Sequence, residues 1–231
     1  MFTLKNSAVV LAFATSAVSF SAIADTVYGS DFGSGSTYST SLSGVSTTFS
    51  ATSGGSASTF TNKSQGGYTG AGVAGGGTLE INIGESIDGS FSKPLNITNF
   101  TLGLLFDGPE YGDVNEKAQI SATYADNSVH TFTFTVTGAT SATWTGSGSF
   151  VNLSSATNGS GAVWSLSDPF GTASIKSLAF TALPGTCGTG SCYSQSDFTL
   201  ISVSAVPEND TYAMMLAGLG LMGLVASRRK G

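Results

Sequence analysis

The sequence predicts an all-β fold, an antiparallel β-sandwich of jelly-roll type. Three observations carry that reading. Apolar residues alternate with Ser and Thr at a period of two along several runs, the spacing that puts successive side chains on opposite faces of a strand. Polarity comes from Ser, Thr and 31 Gly, with charged residues at only 10%, a composition suited to strands and turns more than to surface helices. No amphipathic helical pattern separates the runs, so the strands are joined by turns and not by crossover helices.

The elements follow in order. From Asp25 to Gly77 the chain is Ser, Thr and Gly with spaced aromatics; short strands are predicted at Val45 to Ser50 and Ser58 to Thr61, and a mobile loop from Gly66 to Gly77. After Thr78 the alternation sharpens: Leu79, Ile81 and Ile83 form one run, and Phe100, Leu102, Leu104 and Phe106 the next. Ile120, Ala122 and Tyr124 are linked by the turn Asp126-Asn127-Ser128 to a strand carrying His130, Phe132, Phe134 and Val136. Ile175 to Thr181 and Phe198 to Val203 supply two late strands.

At 231 residues and 40% hydrophobic, with 15 Phe, the chain can bury a sizeable core and lacks the composition of a disordered protein. The formal net charge is −6, and between Asp25 and Ala205 only Lys63, Lys93, Lys117 and Lys176 are basic. Such a surface repels phosphate backbones, which argues against nucleic acid as a partner. The glycine runs do not form a phosphate-binding motif between a strand and a helix.

The two ends differ in kind from the middle. Residues 1–24 carry Lys5, an apolar stretch from Ala8 to Ala17, and Ala22-Ile23-Ala24 before Asp25, the order of a secretory signal peptide cut by signal peptidase after Ala24. Residues 25–205 form the predicted β domain. Residues 206–231 form a tail: Val206-Pro207-Glu208-Asn209-Asp210, an apolar segment, then Arg228-Arg229-Lys230. A helix apolar on every side belongs in lipid. The span Tyr212 to Ala226 is 15 residues, roughly 22 Å of helix against a hydrocarbon core of about 30 Å. Arg228, Arg229 and Lys230 act as the basic stop that holds the C-terminus in the cytoplasm and snorkels to the interface. So short a span marks a weak or temporary anchor in the inner membrane.

In these residues the tail resembles the C-terminal sorting segment of PEP-CTERM proteins, made by Gram-negative bacteria that secrete exopolysaccharide. Pro207 and Glu208 match its Pro-Glu-Pro signature, Leu216-Ala217-Gly218-Leu219-Gly220-Leu221 its helix, and Arg228-Arg229-Lys230 its basic end, while Asn209 stands where the second Pro is usual. The resemblance implies recognition by an exosortase, an integral-membrane cysteine transpeptidase that cuts near the motif and releases or transfers the protein. It covers about the last tenth of the chain and implies nothing about the domain being sorted.

Within the domain, Cys187 and Cys192 flank a four-residue loop and read as a small-loop disulfide in an oxidising compartment. Asp107, Glu110, Asp113 and Glu116 lie in the one dense acidic segment; their carboxylates are candidate Ca²⁺ ligands, against the simpler reading of a charged loop that keeps sheet edges soluble. Trp144 and Tyr111 are candidate stacking platforms for a sugar ring, whereas Trp164, before Leu166 and Phe170, reads as core. His130 is the single histidine, and without a nucleophile elbow or companion ligands it supports neither a serine-hydrolase triad nor a metal hydrolase. The expected function is therefore non-enzymatic: a structural or adhesive protein of the cell surface or extracellular matrix, associated with exopolysaccharide or biofilm and with no required cofactor. A carbohydrate-binding module is the alternative. A secreted hydrolase using paired carboxylates is the third reading, disfavoured by the scarcity of His, Lys and Arg.

Overall fold

The computed structural model describes residues 24–107, 113–154, 162–187, 196–207 and 218–220. In chain order the strands are β1 Asp25–Tyr28, β2 Thr37–Leu42, β3 Val45–Ser53, β4 Ser56–Ala57, β5 Phe60–Gln65, β6 Tyr68–Val73, β7 Glu85–Gly103 and β8 Asp113–Val114. Then come β9 Lys117–Tyr124, β10 Val129–Gly138, β11 Ser141–Trp144, β12 Ser149–Asn152, β13 Trp164–Ser167, β14 Ser174–Leu183, β15 Thr186–Cys187 and β16 Thr199–Pro207. The ladders between these strands are antiparallel.

One strand organises the rest. The first half of β7 pairs with β3 from Glu85↔Ser53 to Phe91↔Thr47 and, on its other side, with β14. The second half pairs with β16 from Leu95↔Pro207 to Gly103↔Thr199 and with β13 from Asn99↔Ser167 to Leu102↔Trp164. Ser92, Lys93 and Pro94, between the halves, have no ladder partner; Pro94 has no N–H to donate, so the ladder breaks there and the strand changes partners at a corner.

The result is one hydrogen-bonded network in two parts. The first runs β11-β10-β9-β14-β7-β3-β2; the second centres on β16, with β6 and β5 beyond it and β13 and β12 on the far flank of β7. The inner faces meet through aromatic rings: Phe100 of β7 lies 5.6 Å from Phe180 of β14, and Phe134 of β10 lies 5.3 Å from Trp164 of β13. All four side chains are fully buried. The outer face of the first part stays polar, with Thr131, Ser121, Ala179, Asp88 and Ser50 in one cross-strand row. That is the alternation the sequence shows, folded into two facing layers.

Most predicted strands are present, with three corrections. The segment Gly66 to Gly77, read as a loop, contains β6, paired with β5 around a Gly66-Gly67 turn from Gln65↔Tyr68 to Phe60↔Val73. Its glycines are there for closeness: a Cβ on Gly72 would lie 2.1 Å from the Leu79 carbonyl oxygen. Conversely, Leu79, Ile81 and Ile83 do not form a strand. Leu79 has φ 66 and is 49% exposed, and Ile81 and Ile83 make only single bridges, to Phe198 and Ala182. Similarly the predicted run to Phe106 ends at Gly103, because Leu104 has φ 63.

The predicted signal peptide lies outside the described residues apart from Ala24. Of the predicted span 212–226 only Gly218–Gly220 are described; they are helical and exposed. Among the described residues no helix is long and apolar enough to cross a membrane.

Candidate functional site

The first two residues of the predicted tail, Val206 and Pro207, belong to a strand of the domain. Ala205, Val206 and Pro207 close β16 against Ile97, Asn96 and Leu95 of β7. On the other side of β16, β1 runs antiparallel with Asp25 opposite Ala205. The Asp25 carboxylate accepts hydrogen bonds from the backbone N–H of Thr26 and of Ser43, both at 2.9 Å, and the Ser43 hydroxyl donates to the Ala205 carbonyl at 2.6 Å. Asp25, the β2–β3 turn and the exit of the tail are thereby clasped at one end of the domain. Partners 162 positions apart in the chain leave no local sequence signal, so this arrangement was not legible beforehand.

Pro207, the first residue of the predicted motif, is therefore the last described residue of the ladder. Glu208 and the basic residues Arg228, Arg229 and Lys230 lie outside the described residues. Residues 205–230 match the PEP-CTERM protein-sorting motif. The PEP-CTERM motif thus begins on the last paired residues of β16, and it implies exosortase-dependent sorting of an exported, membrane-anchored precursor. No curated protein and no solved structure is similar enough to match the chain.

The other candidate residues are scattered. Around the acidic segment, Glu110 and Tyr111 lie outside the described residues, and only the backbone of Asp113 is described, opposite Cys187 in the β8–β15 pair. Asp107 accepts the backbone N–H of Asn115 through its own carbonyl at 3.2 Å. Glu116 is 1% exposed and its Oε2 accepts the Phe106 N–H at 2.6 Å. This carboxylate ties the two ends of the loop together from inside. Among the described residues no group of three or more His, Cys, Asp or Glu is placed to hold a metal ion. Glu116→Ala is expected to destabilise the fold by about 1–3 kcal/mol by leaving a backbone N–H unpaired. Thermal unfolding should show the same loss in calcium and in chelator; a loss present only with calcium would place a cation in the loop instead.

Trp144 is half-buried. Its ring stands edge-on to Phe100 at 5.8 Å and packs with Phe132 at 5.6 Å, and its Nε1–H donates to the Ser147 carbonyl at 2.9 Å. His130 is exposed at the end of the same layer, its ring 4.3 Å from Tyr124. Its Nε2 is 3.0 Å from the Ser128 hydroxyl, which donates at 2.6 Å to Asp126. The Ser128 hydroxyl and then its N–H hold the Asp126 carboxyl below its ordinary range. The serine proton is thus engaged by the turn carboxylate and not delivered to the histidine, the reverse of an activated nucleophile. The predicted Cys187–Cys192 pair lies outside the described residues at Cys192.

Proposed function

We propose that the chain is secreted through an N-terminal signal peptide, pauses in the inner membrane by its tail, and reaches the cell surface or extracellular matrix after an exosortase-like transpeptidase acts just beyond Pro207. The observation that carries this reading is the PEP-CTERM match at 205–230, which starts where the domain ends. Cleavage inside the ladder would require Val206 and Pro207 to leave their partners Asn96 and Leu95, so the proposed cut falls after Pro207. The domain itself serves a structural or adhesive role alongside exopolysaccharide. What favours this over a sugar platform at Trp144 is that the indole is already used in the ring cluster and its N–H is already bonded. What favours a non-catalytic domain is the engaged Ser128 and the inward use of Glu116.

Intact-mass spectrometry of the extracellular protein tests the reading. The expected species starts at Asp25 and ends at or shortly after Pro207. Recovery of chains ending in Gly231 from inner membranes alone, with the transpeptidase present, would make this a permanently anchored protein.

A further inference from the structure

The strands that end each part of the network differ in how their edges are guarded. Free N–H and C=O groups on an edge invite another strand, and proteins discourage this with charged side chains, bulges or very short edges. β5 carries Lys63 in its middle, bonded to Glu80 at 2.5 Å. β11 has four residues and joins β10 through a register shift between Val136 and Gly138; β12 has four residues, and β4, β8 and β15 have two each. β2 carries none of these devices. Its six residues, Thr37-Tyr38-Ser39-Thr40-Ser41-Leu42, include no charge and no Pro, and its register with β3 is unbroken from Thr37↔Ser50 to Leu42↔Val45. Among the described residues β3 is its only strand partner.

The phase of that ladder says which main-chain groups are free. Ser43 and Gly44 have φ 52 and 76, a two-residue turn of the kind that closes a hairpin on a bonded pair, here Leu42–Val45. Bonded pairs then recur at every second residue. The Ala51 N–H donating to the Ser36 carbonyl at 3.1 Å fixes the same phase at the other end. Ser36, Tyr38, Thr40 and Leu42 spend their main-chain groups on β3, and Thr37, Ser39 and Ser41 turn theirs away from the sheet.

We infer that this edge is a self-association surface, and that its occupant is the β2 edge of a second copy of the chain, related by a two-fold axis at Ser39. Antiparallel pairing about that axis sets Ser39 opposite its own equivalent and Thr37 opposite Ser41 of the partner subunit, so all the outward main-chain groups find partners. A strand without charge meets itself without repulsion, and among the described edges no other offers an equally long unguarded run. A two-fold contact uses the same patch on both chains and closes on itself, giving a dimer and not a filament. A strand pair of this length buries less than the ~1,600 Å² of a standard stable interface, so association is reversible and concentration-dependent. The inference is independent of how the tail is processed.

The side chain of Ser39 is exposed on the polar face, 3.0 Å from Thr48 Oγ1, so a charge placed there meets only its equivalent across the axis. Sedimentation velocity on the full chain in detergent, over a range of concentrations, gives the test. The unsubstituted chain should pass from one copy to two. S39K alone and S39E alone should each weaken association by up to about fivefold, as like charges directly opposed do. Mixing the two should restore a dimer containing one of each. The double variant T37K/S41K, which sets a lysine opposite a lysine at both outer pairs, serves as a second disrupting variant, with circular dichroism confirming that each variant is folded. A chain that stays single at every concentration, variants that pair as well as the parent through the tail or another edge, or a mixture that does not recover would each overturn the inference.

Discussion

Changing Glu208 to Ala is expected to trap the precursor in the inner membrane, turning a released or surface-bound protein into one recovered almost wholly with the membrane fraction. Pro207 is held in the β16 ladder opposite Leu95, and Asn209 occupies the position of the second Pro of the signature. Glu208 is therefore the signature's other matching residue, and it is not among the residues paired in the described ladder. Fractionation with immunodetection of the domain reads the outcome, and a second arm lacking residues 208–231 should lose membrane retention entirely. Normal release of E208A would move recognition to the apolar segment or the basic end. Retention of the truncated chain would show that something other than the tail holds it.

Trp164→Ala should cost about 3–5 kcal/mol of folding stability, a large share of the roughly 5–15 kcal/mol available to an ordinary domain. Trp164 is 1% exposed and bridges the two layers, with Phe134 at 5.3 Å and Phe150 at 6.2 Å. Its Nε1–H donates to the buried Leu105 carbonyl at 3.0 Å, so truncation opens a cavity and leaves that acceptor unpaired. Trp164→Phe keeps an aromatic ring in the layer and loses the hydrogen bond, and should cost less. Urea denaturation of the released protein measures both; a Trp164→Ala loss below about 1 kcal/mol would contradict the cavity expected on truncating a buried indole.

The difference between these two tests follows what each kind of sequence signal can encode. β9 and β10, with Ile120, Ala122, Phe132, Phe134 and Val136 on one face, are legible because half-buried strands record their faces at period two, and the Asp126-Asn127-Ser128 turn because it is built locally. The first half of β7, where Ile87 and Phe91 alternate with Ser86, Asp88 and Ser90, is not among the predicted strands: Gly89 and Pro94 interrupt the run and carry no sign of belonging to a strand. Gly89 is required by a neighbour instead: a Cβ there would lie 2.9 Å from the Phe49 ring. β6 was hidden for the same reason, its glycines mistaken for looseness. The inward course of the Glu116 side chain to the Phe106 N–H was not legible, because an acidic residue carries no mark of the direction its side chain takes. The sorting motif at 205–230 was legible because its chemistry is contiguous, whereas the clasp of Asp25, Ser43 and Ala205 joins residues that meet only once the sheet has closed.

The place of β16 also fixes how the domain carries load. While the tail is embedded, any drag from flow or from surrounding polymer reaches the membrane through Pro207 and so travels along the length of β16. That strand is bonded to β7 on one side, from Thr199 to Pro207, and to β1 on the other. Ladder hydrogen bonds lie across the strand direction, so a lengthwise pull strains many of them together and does not peel them singly. A precursor tethered through Pro207 would therefore resist as a shear joint.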